Sequence, residues 1–191
     1  MIFLLIYLVI SIFIHELAHL IVAKSVGCEV LKFSIGFGKP ILFSKKIGNT
    51  VYQIAIWILG GFCELKGELS TTNEPDDFIN LPYLKKLAIG LAGVSVNIIL
   101  GAICFYFGIN CESRMLYDFG LLNLILGITN ALPLAPCLDG GYVVYLPLCF
   151  KIWGKEKGTK IFAIACNISF LIIMALNIIC IPFAILMWRN V

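Results

Sequence analysis

Residues 1–23 read MIFLLIYLVISIFIHELAHLIVA, a run long and apolar enough to cross a bilayer that nevertheless carries His15, Glu16 and His19 inside it. Lys24 and Gly27 mark its end. A charged side chain at mid-membrane costs ~2.5–3.5 kcal/mol on insertion scales, so three ionisable groups in such a run require a reason. The run starts without a basic leading region and ends without a small-residue cleavage site. It is therefore expected to be kept as a spanning helix and not removed as a signal peptide.

The rest of the chain has the same character. Of 191 residues, 61% are apolar and 13% charged, and mean hydropathy is +1.01. That leaves too little polar surface to cover a water-soluble globule, and no room for an appended soluble domain; residues 1–191 are expected to form a single integral-membrane domain. The net charge of +3 is small, and Lys and Arg stand between apolar runs without interleaved aromatics, which argues against nucleic-acid binding. The eight cysteines show no CxxC pairing, and several fall within apolar runs, so neither a disulfide framework nor a thiolate metal site is expected.

Further spanning helices are expected at 87–108, at 115–132 and at 161–187, making an all-α polytopic membrane protein of about four spans. Between the first and second, residues 24–86 mix Gly-rich turns with short β-branched and aromatic stretches, which predicts a membrane-associated β-hairpin or loop. Residues 70–82, STTNEPDDFINLP, read as a hydrophilic linker on the water side. After the third span, Pro133 and Pro136 should unwind the chain. Of the fourteen basic residues, eight lie in 24–86 and four in 151–160, which is expected to be a basic loop, leaving Arg114 and Arg189 for the opposite side. Both Lys-rich segments are thus expected to face the cytoplasm, with the N-terminus outside.

His15 and His19, at i and i+4, project from one face of a helix, where two imidazoles can grip one metal ion. Glu16, one position along, can hold and deprotonate a water at that metal without being a ligand. His-Glu-x-x-His on a helix is the zinc metalloprotease signature. The chain has only two histidines, and a random shuffle gives this arrangement roughly 4 times in 10,000. The competing structural reading is a hydrogen-bonding trio between helices. A catalytic zinc usually takes a third protein ligand. Asp139 follows the double-proline break in Leu132-Pro133-Leu134-Ala135-Pro136-Cys137-Leu138-Asp139-Gly140-Gly141, where unwinding lets a carboxylate point into the bundle and two glycines permit close backbone approach. Its alternative is an N-cap for the following helix.

At these residues the chain resembles the site-2 proteases, a family of intramembrane zinc metalloproteases. The resemblance is carried by His15-Glu16-Leu17-Ala18-His19, by Gly60-Gly61-Phe62 with Lys66-Gly67-Glu68, by Gly93-Val94-Ser95-Val96-Asn97, and by Asn130 through Leu138-Asp139-Gly140-Gly141. It implies one Zn2+ held by His15, His19 and Asp139, with Glu16 as general base and acid. It further implies that the Gly60-Gly61 region helps present substrate as an extended strand, and that Asn97 and Asn130 hold substrate backbone or the oxyanion. Helix–helix hydrogen bonding is the alternative for both asparagines. Val94 stands where the family has proline, and the interval from Asn130 to Asp139 is one residue longer than the family's. The chain is expected to be a minimal core with neither a PDZ nor a CBS domain.

The expected activity is cleavage of a peptide bond in or near a transmembrane segment of a membrane-tethered substrate, a single-span protein or membrane-associated precursor. Such a helix must be unwound locally, and adding it as a strand to the 33–62 region would satisfy its freed backbone groups. His15 lies about 13 Å from the inner end of its helix, so water is expected to arrive from the cytoplasm. The setting expected is a bacterial cell membrane. Two rivals share the residues: a metal-handling membrane protein or transporter, which would need further ligands along a path, and a catalytically idle relative that binds membrane segments.

Overall fold

The computed structural model describes residues 2–68, 74 and 77–188, without the side chains of residue 2 and of 177–188. Residues 70–73, 75 and 76 of the 70–82 linker, the Cys180 side chain and Arg189 therefore lie outside the described residues.

Helix α1 (Ile2–Ser25) contains the first apolar run. It leads into strands β1 (Val30–Ile47) and β2 (Thr50–Leu65), which pair antiparallel in one sheet. A single 3-10 turn (Phe78–Asn80) precedes α2 (Tyr83–Asn110), followed by α3 (Arg114–Ala131) and α4 (Asp139–Trp188). Three of these helices are long and apolar enough to cross a membrane: Phe3–Ser25, Tyr83–Asn110 and Asp139–Leu176. Helix α3 is not among them. Its 18 residues reach about 27 Å and include Arg114, Asp118, Asn123 and Asn130. The chain is mostly helical with a β-hairpin between α1 and α2, and the expected set of four spans stands as three such helices plus this shorter one.

The hairpin is more elaborate than two strands side by side. Lys32, Phe33, Ser34 and Ile35 each have partners on both flanks: Glu64, Cys63, Phe62 and Gly61 on one, Val51, Tyr52, Gln53 and Ile54 on the other. Residues 41–47 pair in turn with 50–55. Each strand thus doubles back, and four segments lie in the order 41–47, 50–55, 32–35, 61–65. This leaves 61–65 as one edge, the edge nearest α1.

Helix α4 is continuous from Asp139 except at Gly154, whose φ of 74° belongs to the left-handed region that favours glycine. The Lys-rich stretch 151–160, expected as a loop, is helical on either side of that residue. Lys and Glu are strong helix formers, and Glu156 with Lys160 closes an i,i+4 pair at 3.0 Å. Hydrophilicity had marked solvent exposure, not a break.

Helices α2 and α3 pack with backbones in contact. A Cβ on Gly101 would lie 2.7 Å from the Leu124 amide nitrogen, one on Gly108 would meet Tyr117 backbone, and one on Gly120 would meet Phe105 backbone. Small residues at such a crossing are what membrane helices use in place of a hydrophobic driving force. The main buried cluster lies at one end of the bundle, where Leu20, Ala23, Val30, Phe33, Phe78 and Phe162 bring α1, the hairpin and α4 together. At that end Lys85 Nζ donates to the Val26 carbonyl at 2.9 Å, Lys86 Nζ to that of Ile79 at 2.8 Å, and Lys155 Nζ to the Asn80 side-chain oxygen. Elsewhere large apolar side chains face outward, Phe3, Ile21, Ile99 and Leu171 among them.

Candidate active site

His15 and His19 stand one turn apart on α1 and are buried. Their Nε2 atoms lie 3.2 Å apart. His19 Nδ1 donates to the Ile89 carbonyl at 2.7 Å, which fixes the ring and leaves Nε2 with its lone pair toward His15. Asp139, the first residue of α4, brings its Oδ2 to 3.0 Å from His15 Nε2 and 3.4 Å from His19 Nε2. The carboxylate also sits at a helix N-terminus, where the backbone dipole favours negative charge. It faces the imidazoles and does not cap its own helix by a side-chain hydrogen bond.

The loop 132–138 explains how Asp139 arrives there. Proline at 133 and 136 prevents α3 from continuing, and the chain folds back on the start of α4. A Cβ on Gly140 would strike the Ala131 carbonyl and one on Gly141 the Ala135 carbonyl. The two glycines thus permit the close approach expected of them, and Tyr145 ties the loop down by donating from its hydroxyl to the Pro133 carbonyl at 2.8 Å.

These three donors fit a zinc ion. Ligand bonds of ~2.0–2.1 Å in a tetrahedron place ligand atoms about 3.3 Å apart, and the observed separations are 3.2, 3.0 and 3.4 Å. Two lone-pair-bearing nitrogens and a carboxylate oxygen at these distances repel unless a cation or protons lie among them. His15, His19 and Asp139 are also the group of His, Cys, Asp and Glu side chains whose geometry suits a shared ion among the described residues.

Glycine makes the room. A Cβ on Gly93 of α2 would lie 2.5 Å from His19 Nε2 and 2.6 Å from His15 Nε2. Gly93 therefore lets α2 press its backbone against both imidazoles. Gly61, on the sheet edge, stands against Glu16, where a Cβ would approach the Glu16 Cγ to 2.7 Å. Gly60 is filled instead by the Phe37 ring. A cavity of about 190 Å³ opens beside these groups, lined by Glu16, His19 and Asp139 together with Gly61–Cys63, Glu68, Gly90 and Tyr142. Burial pushes the Cys63 thiol upward, so it stands neutral beside the carboxylates.

Five of the eight expected site residues gather here, His15, Glu16, His19, Asp139 and Gly61, while Gly60 packs against Phe37 outside the cavity lining. The two asparagines do not line the cavity. Asn97 lies one turn beyond Gly93, 1% exposed, and its Oδ1 has no hydrogen-bond partner among the described residues. Asn130 sits half-buried near the end of α3. Three features escaped sequence reasoning. The contact of Gly93 with the imidazoles and the Ile89 carbonyl partner are tertiary, without a local signal. Asn123, wholly buried in α3, donates from Nδ2 to the Phe119 carbonyl at 2.9 Å within its own helix.

A family model for Peptidase family M50 matches residues 3–113. A protein of Borreliella burgdorferi is 37% identical over 118 residues, covering 56% of this chain and 27% of its own length. One of Clostridium perfringens is 42% identical over 98 residues, 49% of this chain and 28% of its own. Both carry the name "Putative zinc metalloprotease". Zinc metalloprotease Rip1 of Mycolicibacterium smegmatis is 31% identical over 108 residues, 52% of this chain and 26% of its own. The match thus spans about a quarter of the length of these relatives. The family match takes in α1, the hairpin and α2, with His15, Glu16 and His19; Asp139 lies beyond it, so its place beside the imidazoles rests on the geometry. With 111 of 191 residues matched (113 − 3 + 1), over half of its length, the chain belongs to Peptidase family M50, the site-2 protease family.

Proposed function

We propose that this chain is an intramembrane zinc metalloendopeptidase that cleaves a peptide bond in or near the spanning segment of a membrane-tethered protein. The observation that carries the reading is the convergence of His15 Nε2, His19 Nε2 and Asp139 Oδ2 at 3.0–3.4 Å with Glu16 on the adjoining cavity wall. His15, His19 and Asp139 would hold one zinc, which supplies Lewis acidity to water and to the scissile carbonyl. The chain's own groups do the rest. Glu16 takes the proton as the water oxygen bonds to the carbonyl carbon, then delivers it to the amide nitrogen as the C–N bond breaks. Gly61, lacking a Cβ, leaves the space that the Glu16 side chain needs beside the sheet edge. The edge 61–65 offers backbone groups to an unwound substrate added as a further strand. Asn97 and Asn130, set off from the cavity, are assigned to substrate contact only through the resemblance.

The whole chain acts as one membrane domain in this reading, in a bacterial cell membrane. Lys24, Lys85, Lys86 and Lys155 cluster at one end of the bundle, which supports a cytoplasmic assignment for that end and an outside N-terminus. Co-expression with a single-span substrate tests the activity: wild type should release the fragment and Glu16→Gln should not. Equal processing by both would end the proposal. Zinc content of purified His19→Ala and Asp139→Asn should fall well below one ion per chain, while Glu16→Gln keeps its zinc.

A further inference from the structure

The cavity beside the metal-binding trio has a third carboxylate, which the cleavage chemistry above leaves unused. Glu68 follows β2 and lines the cavity with Glu16 and Asp139. Its carboxylate accepts from the Leu65 amide at a long 3.3 Å and faces the Tyr142 hydroxyl. The nearest lysine in sequence, Lys66, is engaged by Glu29 at 3.6 Å and Glu74 at 3.1 Å. Lys32, across the sheet, is engaged by Glu64 at 2.9 Å. No ion pair among the described residues includes Glu68.

Opposite it stands Tyr142, one turn into α4 from Asp139. Its ring is clamped edge-on between Phe78 at 5.6 Å and Phe162 at 5.0 Å, so its hydroxyl is aimed and held. That hydroxyl is shielded from solvent and points at the Glu68 carboxylate. A carboxyl and a hydroxyl thus face the same space with unused hydrogen-bonding capacity, in a cavity roomy enough for several waters or the end of a flexible side chain. Buried polar groups ordinarily find partners, and a carboxylate kept from water without a counter-charge is costly. Burial pushes the Glu68 carboxyl upward, toward the neutral form.

We infer that Glu68 and Tyr142 form a subsite for an organic ammonium group beside the scissile bond. The inference rests on the protease reading for the identity of its ligand. Two sources share this chemistry: a lysine side chain near the cleavage point, and the new α-ammonium of the released C-terminal fragment. In either case the ammonium donates to the Glu68 carboxylate and to the Tyr142 oxygen, and its arrival favours the ionised carboxyl. Substrates with a basic residue near the break, or slow release of the amine product, follow.

The test uses the zinc-loaded full chain in nanodiscs carrying Glu16→Gln, so that binding is read without turnover. One probe is a single-span peptide with lysine or methionine at one scanned position. The other is the C-terminal fragment with its amine free or acetylated. Glu68→Gln should weaken binding of the lysine peptide or of the free-amine fragment by about tenfold while sparing the neutral counterpart, and Glu68→Asp should restore part of it. Selective loss on the lysine peptide assigns the side chain as source; selective loss on the free-amine fragment assigns the product. Equal loss on charged and neutral probes, or no loss on either, overturns the subsite. Zinc content of Glu68→Gln separates unfolding from a lost contact, and Tyr142→Phe gives a second, milder variant expected to show the same selectivity. Failure of the protease reading would appear independently, as absent cleavage by the wild type.

Discussion

The two halves of this bundle bury polar atoms and glycines for different purposes. In the α2–α3 half, Gly101, Gly108 and Gly120 let two backbones touch along much of their length, and the buried Asn123 spends its amide on its own helix. Nothing from α3 lines the cavity. Around the site, where α1, the hairpin, α4 and the site-facing side of α2 meet, glycines make room for chemistry: Gly61 for Glu16, Gly93 for the imidazoles, Gly140 and Gly141 for the loop that delivers Asp139. The same residue type thus serves close packing in one half and access in the other. Substitutions should separate the two uses by their readouts.

The largest effect belongs to the ligand trio. Replacing His15 by alanine removes one of three donors and leaves the half-buried Asp139 beside a single imidazole; zinc should be lost and proteolysis abolished, read by metal analysis and cleavage on one preparation. Retention of full zinc would break the distinction between the halves at its centre. Next is Gly93→Val, on α2 but facing the site: its side chain occupies the space of both imidazoles, and zinc affinity should fall at least tenfold, on the scale of lost support around a ligand. A normal affinity would mean that α2 can withdraw. Gly61→Ala displaces Glu16 and spares the ligands, so kcat should drop about a hundredfold with zinc content unchanged, the cost of misplacing a catalytic group by an ångström. Gly120→Val is the contrasting control. Overpacking α2 against α3 should cost about 1–3 kcal/mol, seen as a lower thermal midpoint in detergent, with residual activity per folded, zinc-loaded molecule near wild type.

What could be read from the residues divides along the same line. His15, Glu16 and His19 are legible because helical geometry alone puts them on one face, and Asp139 because two prolines fix where the chain must leave its helix. Asp139 beside the imidazoles is where chain chemistry and fold agree. The partner of His19 was out of reach: a main-chain carbonyl 70 positions away leaves no mark in composition or spacing. Gly93 stood in a recognisable motif, yet its reason is an absence of atoms, which only packing reveals. The hairpin was expected, but its doubling into four segments depends on the pairing of Phe33 with both Cys63 and Tyr52, a register that alternation does not encode. Residues 151–160 misled for the opposite cause, since charge patterning that favours a solvated helix looks like a loop when only hydropathy is weighed.

The distance along the chain between residues 15 and 139 has a consequence for how the protein is made. The first helix enters the bilayer with two imidazoles and a carboxyl in apolar surroundings, and 123 further residues (139 − 15 − 1) must be synthesised before the carboxylate that completes the trio emerges. Until then the earliest relief comes from α2, whose carbonyl at Ile89 accepts a hydrogen bond from His19 Nδ1. An ion captured once Asp139 is in place would act as a staple across about two thirds of the sequence, joining α1 to α4. Metal supply would then govern the lifetime of newly made molecules as well as their chemistry.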